Sequence, residues 1–521
     1  MPEPSLAQLD HAHVWHPFTP MRQWCEKPPL VIERGEGPYL FDTDGQRYLD
    51  GVSSLWCNVH GHRVPELDQA VRDQLDKVAH TTLLGLASPP SIELAARLVA
   101  LVGSGERGGG SGGKATSSTE TASPPLTSSP LPQPHCPLTK VFYSDAGATA
   151  LEVAFKMAVG HWHHRGQPQK TRFIGLQGAY HGDTVGTMSV GYSDLFHRAF
   201  QSMVFPVDWF PAPDALRPPP GISNSTRRAC DTVEKAWPSE DPALAEALAD
   251  HCLGELERML ETQADQTAAI VIEPVMQGAA GMICQPPGFV GRVAALAKRF
   301  DVLLIADEVA VGFGRTGKLF ACEHDRVSPD ILCLAKGLTA GYLPLAVTMT
   351  TDAIYDAFTG EPDEKKTLYH GHTYTGNPLA CAVAIASLDL FDQPPANSDH
   401  PSLLSHINAS AALLRERLEP LRDCPHVRDI RQRGIMVGVE LGPNPNLPSP
   451  DDSPQLPGAF DFSKPQGHRF CDALRDRGII IRPLGNVLVL MPIPATPHDA
   501  LAELVDAVVE ALQQSSPLAS V

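Results

Sequence analysis

The sequence predicts an α/β protein: a large domain with a mostly parallel sheet, followed by a smaller α+β domain. Two observations carry this. Short β-branched runs alternate with helical patterns through the first two thirds of the chain, the signature of a parallel sheet covered on both faces. From about Leu403 onward the pattern changes to helices plus two strand-like stretches, GIMVGVEL and GIIIRPLGNVLVLMP, the second resembling a hairpin. In order, KVFYS (Lys140–Ser144), RFIGL (Arg172–Leu176), AIVIEPV (Ala269–Val275) and VLLIADEVA (Val302–Ala310) read as buried strands. Between the first two, Leu151, Ala154, Phe155, Ala158, Val159 and Trp162 recur at helical spacing.

Four segments interrupt this pattern. Gly103–Pro137 is dominated by Gly, Ser, Thr and Pro and cannot bury enough apolar surface to offset its ordering entropy. Pro-rich or polar stretches also fall within Pro211–Pro242, Asp392–Pro401 and Gly442–Pro465.

The chain has 521 residues, enough for more than one subdomain, and a net charge of −19. That charge opposes binding to nucleic acid or an anionic membrane, which need clustered Lys and Arg. Eleven scattered cysteines with no CxxC pair read as reduced thiols, with no disulfide framework or zinc site expected. No basic stretch followed by an apolar run opens the chain, and no stretch reaches about 18 consecutive apolar residues. The expectation is a cytoplasmic protein.

Two motifs are discounted. Gly108 and Gly113-Lys114 nearly spell a phosphate loop, but Ala115 replaces the hydroxyl residue, and the loop lacks a strand before it and a helix after it. His161-Trp162-His163-His164 lacks the i, i+4 spacing of a helical metal pair and reads as a solvated helix end, and His11, His13 and His16 read equally blandly.

Three others combine. Asp145-Ala146-Gly147-Ala148-Thr149 follows a strand and opens a helix, where free N–H groups suit a phosphate. Asp307 ends a very apolar strand, where ligands of parallel sheets bind; the bland alternatives are a helix cap or an ion pair with Arg315. Lys336 is the single charged residue in ILCLAKGLTAGYLPLAV, and an amine held in an apolar setting is partly neutral and nucleophilic toward carbonyls. A phosphate cradle, an acidic partner for a ring nitrogen and a reactive lysine together suggest pyridoxal 5′-phosphate.

At these residues the chain resembles the class III (ω-) aminotransferases of fold type I, the pyridoxal-phosphate-dependent transferases. The segment from Leu303 to Val347, LLIADEVAVGFGRTGKLFACEHDRVSPDILCLAKGLTAGYLPLAV, carries the likeness, which spans nearly the whole chain outside the insertions. It implies an N-terminal segment, 1–70, that joins the small domain; a large cofactor-binding domain, 71–385, interrupted by 103–137; and a small domain, 386–521. It also implies that Lys336 binds the cofactor covalently and moves the proton, while Asp307 keeps the pyridine nitrogen protonated and Tyr180 stacks on the ring. Gly147 and Ala148 would hold the phosphate, joined by Thr373, with His372 beside it, from the partner subunit of a homodimer. Glu273 and Gln277 would support these groups, and Gly337 and Gly341 would leave room for the cofactor.

HVWHPFTPM, SSLWCNVHGHR, GAYHGDTVGTMSVG, HGHTYTGNPLA and IRPLGN resemble the branch of the family that aminates 8-amino-7-oxononanoate in biotin synthesis. By that resemblance Phe18, Leu55, Trp56, Tyr180 and Gly371 line the substrate pocket, and Arg482 meets the substrate carboxylate. Phe18, Leu55 and the Gly371-His372-Thr373 stretch depart from the pattern associated with S-adenosylmethionine as amino donor and resemble the subgroup that uses lysine. Another ω-aminotransferase, acting on ornithine or 4-aminobutyrate, is the alternative.

Overall fold

The structure is a computed structural model that describes residues 3–103, 138–219, 222, 237–396, 398–444 and 466–514. The 103–137 insertion after Gly103, with its phosphate-loop look-alike, lies outside them, as does most of Gly442–Pro465.

Three N-terminal strands, β1 (Ile32–Glu36), β2 (Tyr39–Asp42) and β3 (Arg47–Asp50), form an antiparallel set. The main sheet is built from β4 (Leu138–Ser144), β5 (Arg172–Leu176), β6 (Asp208–Phe210) and β7 (Thr267–Ile272). A small pair, β8 (Met276–Gln277) and β9 (Ile283–Cys284), follows β7; then β10 (Leu303–Asp307), β11 (Ile331–Leu334) and β12 (Ala346–Thr351) complete the main sheet. The C-terminal part contributes β13 (Val427–Arg433), β14 (Met436–Leu441), β15 (Ile479–Ile480), β16 (Arg482–Leu484) and β17 (Val487–Leu490).

The seven-stranded sheet has the order β4-β12-β11-β10-β7-β5-β6. Only β12 runs against its neighbours β11 and β4; the other pairings are parallel. Every residue of β7, β10, β11 and β12 is buried, as expected of strands covered on both faces. Strand β5 occupies the expected residues, whereas β7 and β10 stop short of their predicted ends. Val275 adopts φ +71°, and the Asp307 carboxylate turns back to accept the Val309 N–H at 3.0 Å. A β-branched residue at positive φ breaks a ladder that hydrophobicity alone would extend.

The helix Gly147–His164 packs its predicted face inward, with Leu151, Ala154, Phe155, Ala158 and Trp162 buried. The solvated-end reading of its histidines needs correction. His161 is 3% exposed beside Trp162, and burial pushes its pKa down to about 4, because the helix is still packed against the sheet at that turn.

Near the C-terminus, β16 and β17 pair as a hairpin around Gly485-Asn486, in the four-stranded sheet β13-β14-β17-β16. Strand β15 leaves this region and pairs in parallel with β3, with Ile479 opposite Leu49. The nine cysteines among the described residues are free thiols, and no described helix is long and apolar enough to cross a membrane.

Candidate active site

The C-terminal ends of β7, β10 and β11 lie side by side, and each delivers one polar group. Glu273 follows β7, Asp307 ends β10, and Lys336 follows β11 after one intervening residue. In register, Ala306 stands opposite Ile272 and Asp307 opposite Cys333, which sets the three groups around one crevice.

Lys336 sits at φ +43°, a strained conformation for a non-glycine residue and a common mark of functional positions. Its Nζ lies 5.0 Å from the centroid of the Trp56 ring. Burial pulls the ammonium below its ordinary pKa, opposed by the charges of Asp307 and Glu273. Burial thus favours the neutral, nucleophilic form of the amine.

The sequence reading has Gly337 and Gly341 making room for a cofactor. Protein atoms also crowd both positions. A Cβ on Gly337 would lie 2.9 Å from the Cβ of Phe313, and one on Gly341, at φ +82°, would lie 3.2 Å from Asn58 N and Cys57 Sγ. Both glycines let neighbouring protein approach.

Asp307 is 4% exposed, and its Oδ2 accepts a hydrogen bond from His181 Nδ1 at 2.7 Å. Burial alone would lower the His181 pKa, but the hydrogen bond and charge of Asp307, with the charge of Glu273, raise it. Glu273, buried on the other side, receives the Tyr180 N–H at 3.1 Å and the Gly278 N–H at 3.0 Å. Burial raises its pKa to about 7. Gln277 Nε2 donates to the Gln177 carbonyl at 2.9 Å. Tyr180 is further fixed by its hydroxyl, which donates to Asp183 at 2.8 Å.

Sequence reasoning missed His181. The contact joins positions 126 apart, and only its place beside Tyr180 in the GAYHGD stretch hinted at a role.

The Asp307–Arg315 pair considered from sequence is not formed. Arg315, 1% exposed, donates to Ser53 Oγ, the Asn58 carbonyl and the Pro492 carbonyl at 2.8–3.0 Å. Burial lowers its pKa to about 10. It thus anchors the Ser53–Trp56 turn, whose Ser53, Ser54 and Trp56 all have positive φ. The turn presents Trp56 to Lys336 and leaves Leu55 51% exposed.

The helix beginning at Gly147 opens onto the same crevice. No side chain of the preceding residue caps it, so its first N–H groups are free for an anion. A Cβ on Gly147 would lie 2.6 Å from Val309 Cγ1, two residues past Asp307, and a Cβ on Gly182 would lie 2.4 Å from the Ala148 Cβ. Gly147→Ala is therefore expected to cost about 1–3 kcal/mol through overpacking. It should also weaken cofactor retention, read as a lower unfolding midpoint and a raised dissociation constant for pyridoxal 5′-phosphate.

His372 Nε2 lies 3.8 Å from Asp145 Oδ1, beside this helix start. Within the single chain the other expected residues stay at the surface. Phe18 is 62% exposed and meets only the ring of Phe196 edge-on at 5.7 Å, and Gly371, Thr373 and Arg482 are exposed.

The model of the class III aminotransferase family matches residues 21–512. The chain belongs to that family. It is 44% identical, over 98% of its length and 97% of the other protein, to the adenosylmethionine-8-amino-7-oxononanoate aminotransferase of Geobacter sulfurreducens. Among solved structures it resembles the enzyme of the same name from Methanocaldococcus jannaschii, with TM-score 0.78, 38% identity, and coverage of 98% of this chain and 99% of that one. It also resembles an amine transaminase from an uncultivated Pseudomonas species in its PLP-bound form, with TM-score 0.76, 32% identity, and coverage of 96% and 98%.

Class III aminotransferases depend on pyridoxal 5′-phosphate, and the residues of this chain fit it. A part-buried amine, a buried carboxylate and an uncapped helix start converge. Trp56 Nε1 and His181 Nε2 are buried there without hydrogen-bond partners.

The neighbouring Glu308 serves structure. Fully buried, it accepts the Ala321 and Cys322 N–H groups at 2.5 and 2.8 Å, and burial raises its pKa to about 7. A folded-state pKa above the ordinary 4.5 means that its contribution to stability is present at low pH and lost as pH rises through about 7. Unfolding midpoints at pH 5 and pH 8 should therefore differ less in Glu308→Gln than in the wild type. At about 1.4 kcal/mol per pKa unit, the difference is up to about 3 kcal/mol.

Proposed function

We propose that this chain is the biotin-pathway transaminase that converts 8-amino-7-oxononanoate to 7,8-diaminononanoate, with S-adenosylmethionine or lysine as amino donor, in two ping-pong half-reactions. The observation that carries the reading is the 44% identity to a relative of that name over 98% of the chain. The amine transaminases reach nearly the same TM-score, so fold likeness alone does not choose the substrate.

When bound, pyridoxal 5′-phosphate supplies an electrophilic carbon and an electron sink. The protein supplies the rest. Lys336, whose neutral form burial favours, is the group able to take and return the proton at the reacting carbon. The Asp307 carboxylate, steadied by His181, offers a fixed negative charge to a ring nitrogen. Glu273 fixes the backbone of Tyr180 and Gly278, so the Tyr180 ring is presented at a set height and the Gly278 turn is held beneath Trp56. Arg482, exposed and without an ion-pair partner among the described residues, is placed by this reading at the substrate carboxylate, where a guanidinium fork suits the task.

The same reading includes a cytoplasmic homodimer with shared active sites, Thr373 and His372 reaching the partner's phosphate. The N-terminal segment 1–70, large domain 71–385 and small domain 386–521 are part of it. The β3–β15 pairing supports the union of the first and last of these. Exposed apolar residues support the dimer: Trp15 and Leu84 are 88% and 89% exposed, beside exposed Phe18, Leu55 and Tyr369.

The test is product formation. Purified holoenzyme given the ketone and either donor should yield the diamine by mass spectrometry, with lysine favoured by the Phe18, Leu55 and His372 substitutions. Failure with every donor, alongside turnover of ornithine or 4-aminobutyrate, would move the chain to another branch of the family.

A further inference from the structure

Outside the Lys336 crevice, the C-terminal part gathers three histidines: His400 before the helix Leu403–Leu418, His406 within it, and His498 at the start of the helix His498–Gln513. One ring nitrogen from each lies within 4.8 Å of the others. His406 is buried and stacks on His498 with centroids 4.3 Å apart, and His400 meets both rings edge-on at 5.6 and 5.3 Å. No carboxylate is hydrogen-bonded to any of the three rings among the described residues. Burial, together with the neighbouring His498 and His400, lowers the His406 pKa, although its bond to Thr496 opposes this.

The hydrogen bonds set the tautomers. A carbonyl only accepts, so His406 Nε2, 2.9 Å from the Thr496 oxygen, must carry the proton, and its Nδ1 keeps the lone pair. His498 Nε2 lies 3.1 Å from the Ser410 hydroxyl, which can donate or accept; where the hydroxyl accepts, the His498 Nδ1 is free in the same way. Metal-binding histidines are oriented in this manner, the outer nitrogen donating to a carbonyl or hydroxyl. The Ser398 hydroxyl lies 3.0 Å from His406 Nδ1. The His400 ring has no hydrogen-bond partner among the described residues.

The geometry points to a binding site for one divalent transition ion of the zinc class on His400, His406 and His498, with the Nδ1 atoms of His406 and His498 as two of its ligands. Three imidazole ligands and no carboxylate select zinc, cobalt, nickel or copper over magnesium or calcium. Ligand bonds of about 2.1 Å bring the three nitrogens to about 3.4 Å apart. His400 and His498 are only part-buried and can turn to close that distance. His498 leaves the stack as it does so, and the ion displaces the Ser398 hydroxyl. The site ties the segment before one helix to the start of another, so occupancy stabilises the C-terminal part and leaves the Lys336 crevice untouched.

The test uses the chelator-treated holoenzyme titrated with Co²⁺ alone, followed by displacement with Zn²⁺. The expected result is one Co²⁺ per chain with a visible d–d band, loss of the band on adding Zn²⁺, and a raised unfolding midpoint. The His400→Ala/His498→Ala double variant should lose all three effects while keeping its transamination rate. Ser410→Ala should weaken binding about tenfold, as loss of an outer-shell partner does. If the double variant does not fold, His400→Ala alone makes the same comparison at a part-buried position. No uptake by the wild type overturns the proposal. So does equal uptake by the variant, which would assign the ion to other histidines such as His163 and His164.

Discussion

Replacing Lys336 with alanine removes transamination, by at least about 10⁴-fold. Loss of a positioned acid–base group alone costs about 10²–10⁴-fold, and this variant also loses the amine that the resemblance assigns to covalent binding of the cofactor. The effect is specific because Lys336 does little structural work. Its Nζ makes no hydrogen bond among the described residues and stands over Trp56 at 5.0 Å. The fold should therefore survive, with far-UV circular dichroism unchanged. After borohydride reduction, mass spectrometry should find the cofactor attached to the wild type and absent from the variant. Lys336→Arg should fail as well, since a guanidinium stays protonated and cannot act as a neutral amine. Activity within tenfold of the wild type in either variant would remove Lys336 from the chemistry.

Asp307→Asn should lower kcat by about 10²–10³-fold, the cost of removing one fixed electrostatic partner in a closed site. The substitution keeps shape and volume, and the Val309 N–H can still be accepted by the amide oxygen. What changes is charge. In the wild type the raised pKa of His181 is owed to Asp307 against a burial effect of opposite sign. In Asp307→Asn burial is opposed only by the more distant Glu273, and the imidazole pKa falls. NMR titration of the His181 ring should show that fall beside the lost rate. A variant with the rate lost and the His181 titration unmoved would mean that the 2.7 Å contact does not set the ionisation of this pair.

The residues that were legible in the sequence are those announced by a local context. Asp307 closes an all-apolar strand, Lys336 is a lone charge in an apolar run, and Gly147 opens a helix after a strand; each shows in a window of a dozen residues. Strands β4, β5, β7 and β10 of the main sheet were legible for the same reason, since strands buried on both faces are continuous apolar runs, whereas β6, β11 and the antiparallel β12 were not named as strands. What stayed hidden depends on contacts between distant positions. His181 meets Asp307, Arg315 clamps Ser53 and Asn58, and β15 returns to pair with β3, none of which a local pattern can encode. Gly337 and Gly341 were legible only in part. Their need for small size was visible, but the neighbours that demand it, Phe313 and the Cys57–Asn58 backbone, were not. The His400, His406 and His498 cluster is assembled from separate segments, so spacing rules for metal sites pass over it.

The central claim is that the Lys336–Asp307 crevice exchanges an amine with the diamine of biotin synthesis. Mixing the purified holoenzyme with 7,8-diaminononanoate alone, and following the visible absorbance of the cofactor, tests it in a single half-reaction. The account predicts that the visible band falls as the amino group passes to the cofactor, with 8-amino-7-oxononanoate formed in equal amount. An unchanged band with this diamine, in an enzyme whose band responds to ornithine or 4-aminobutyrate, would contradict it.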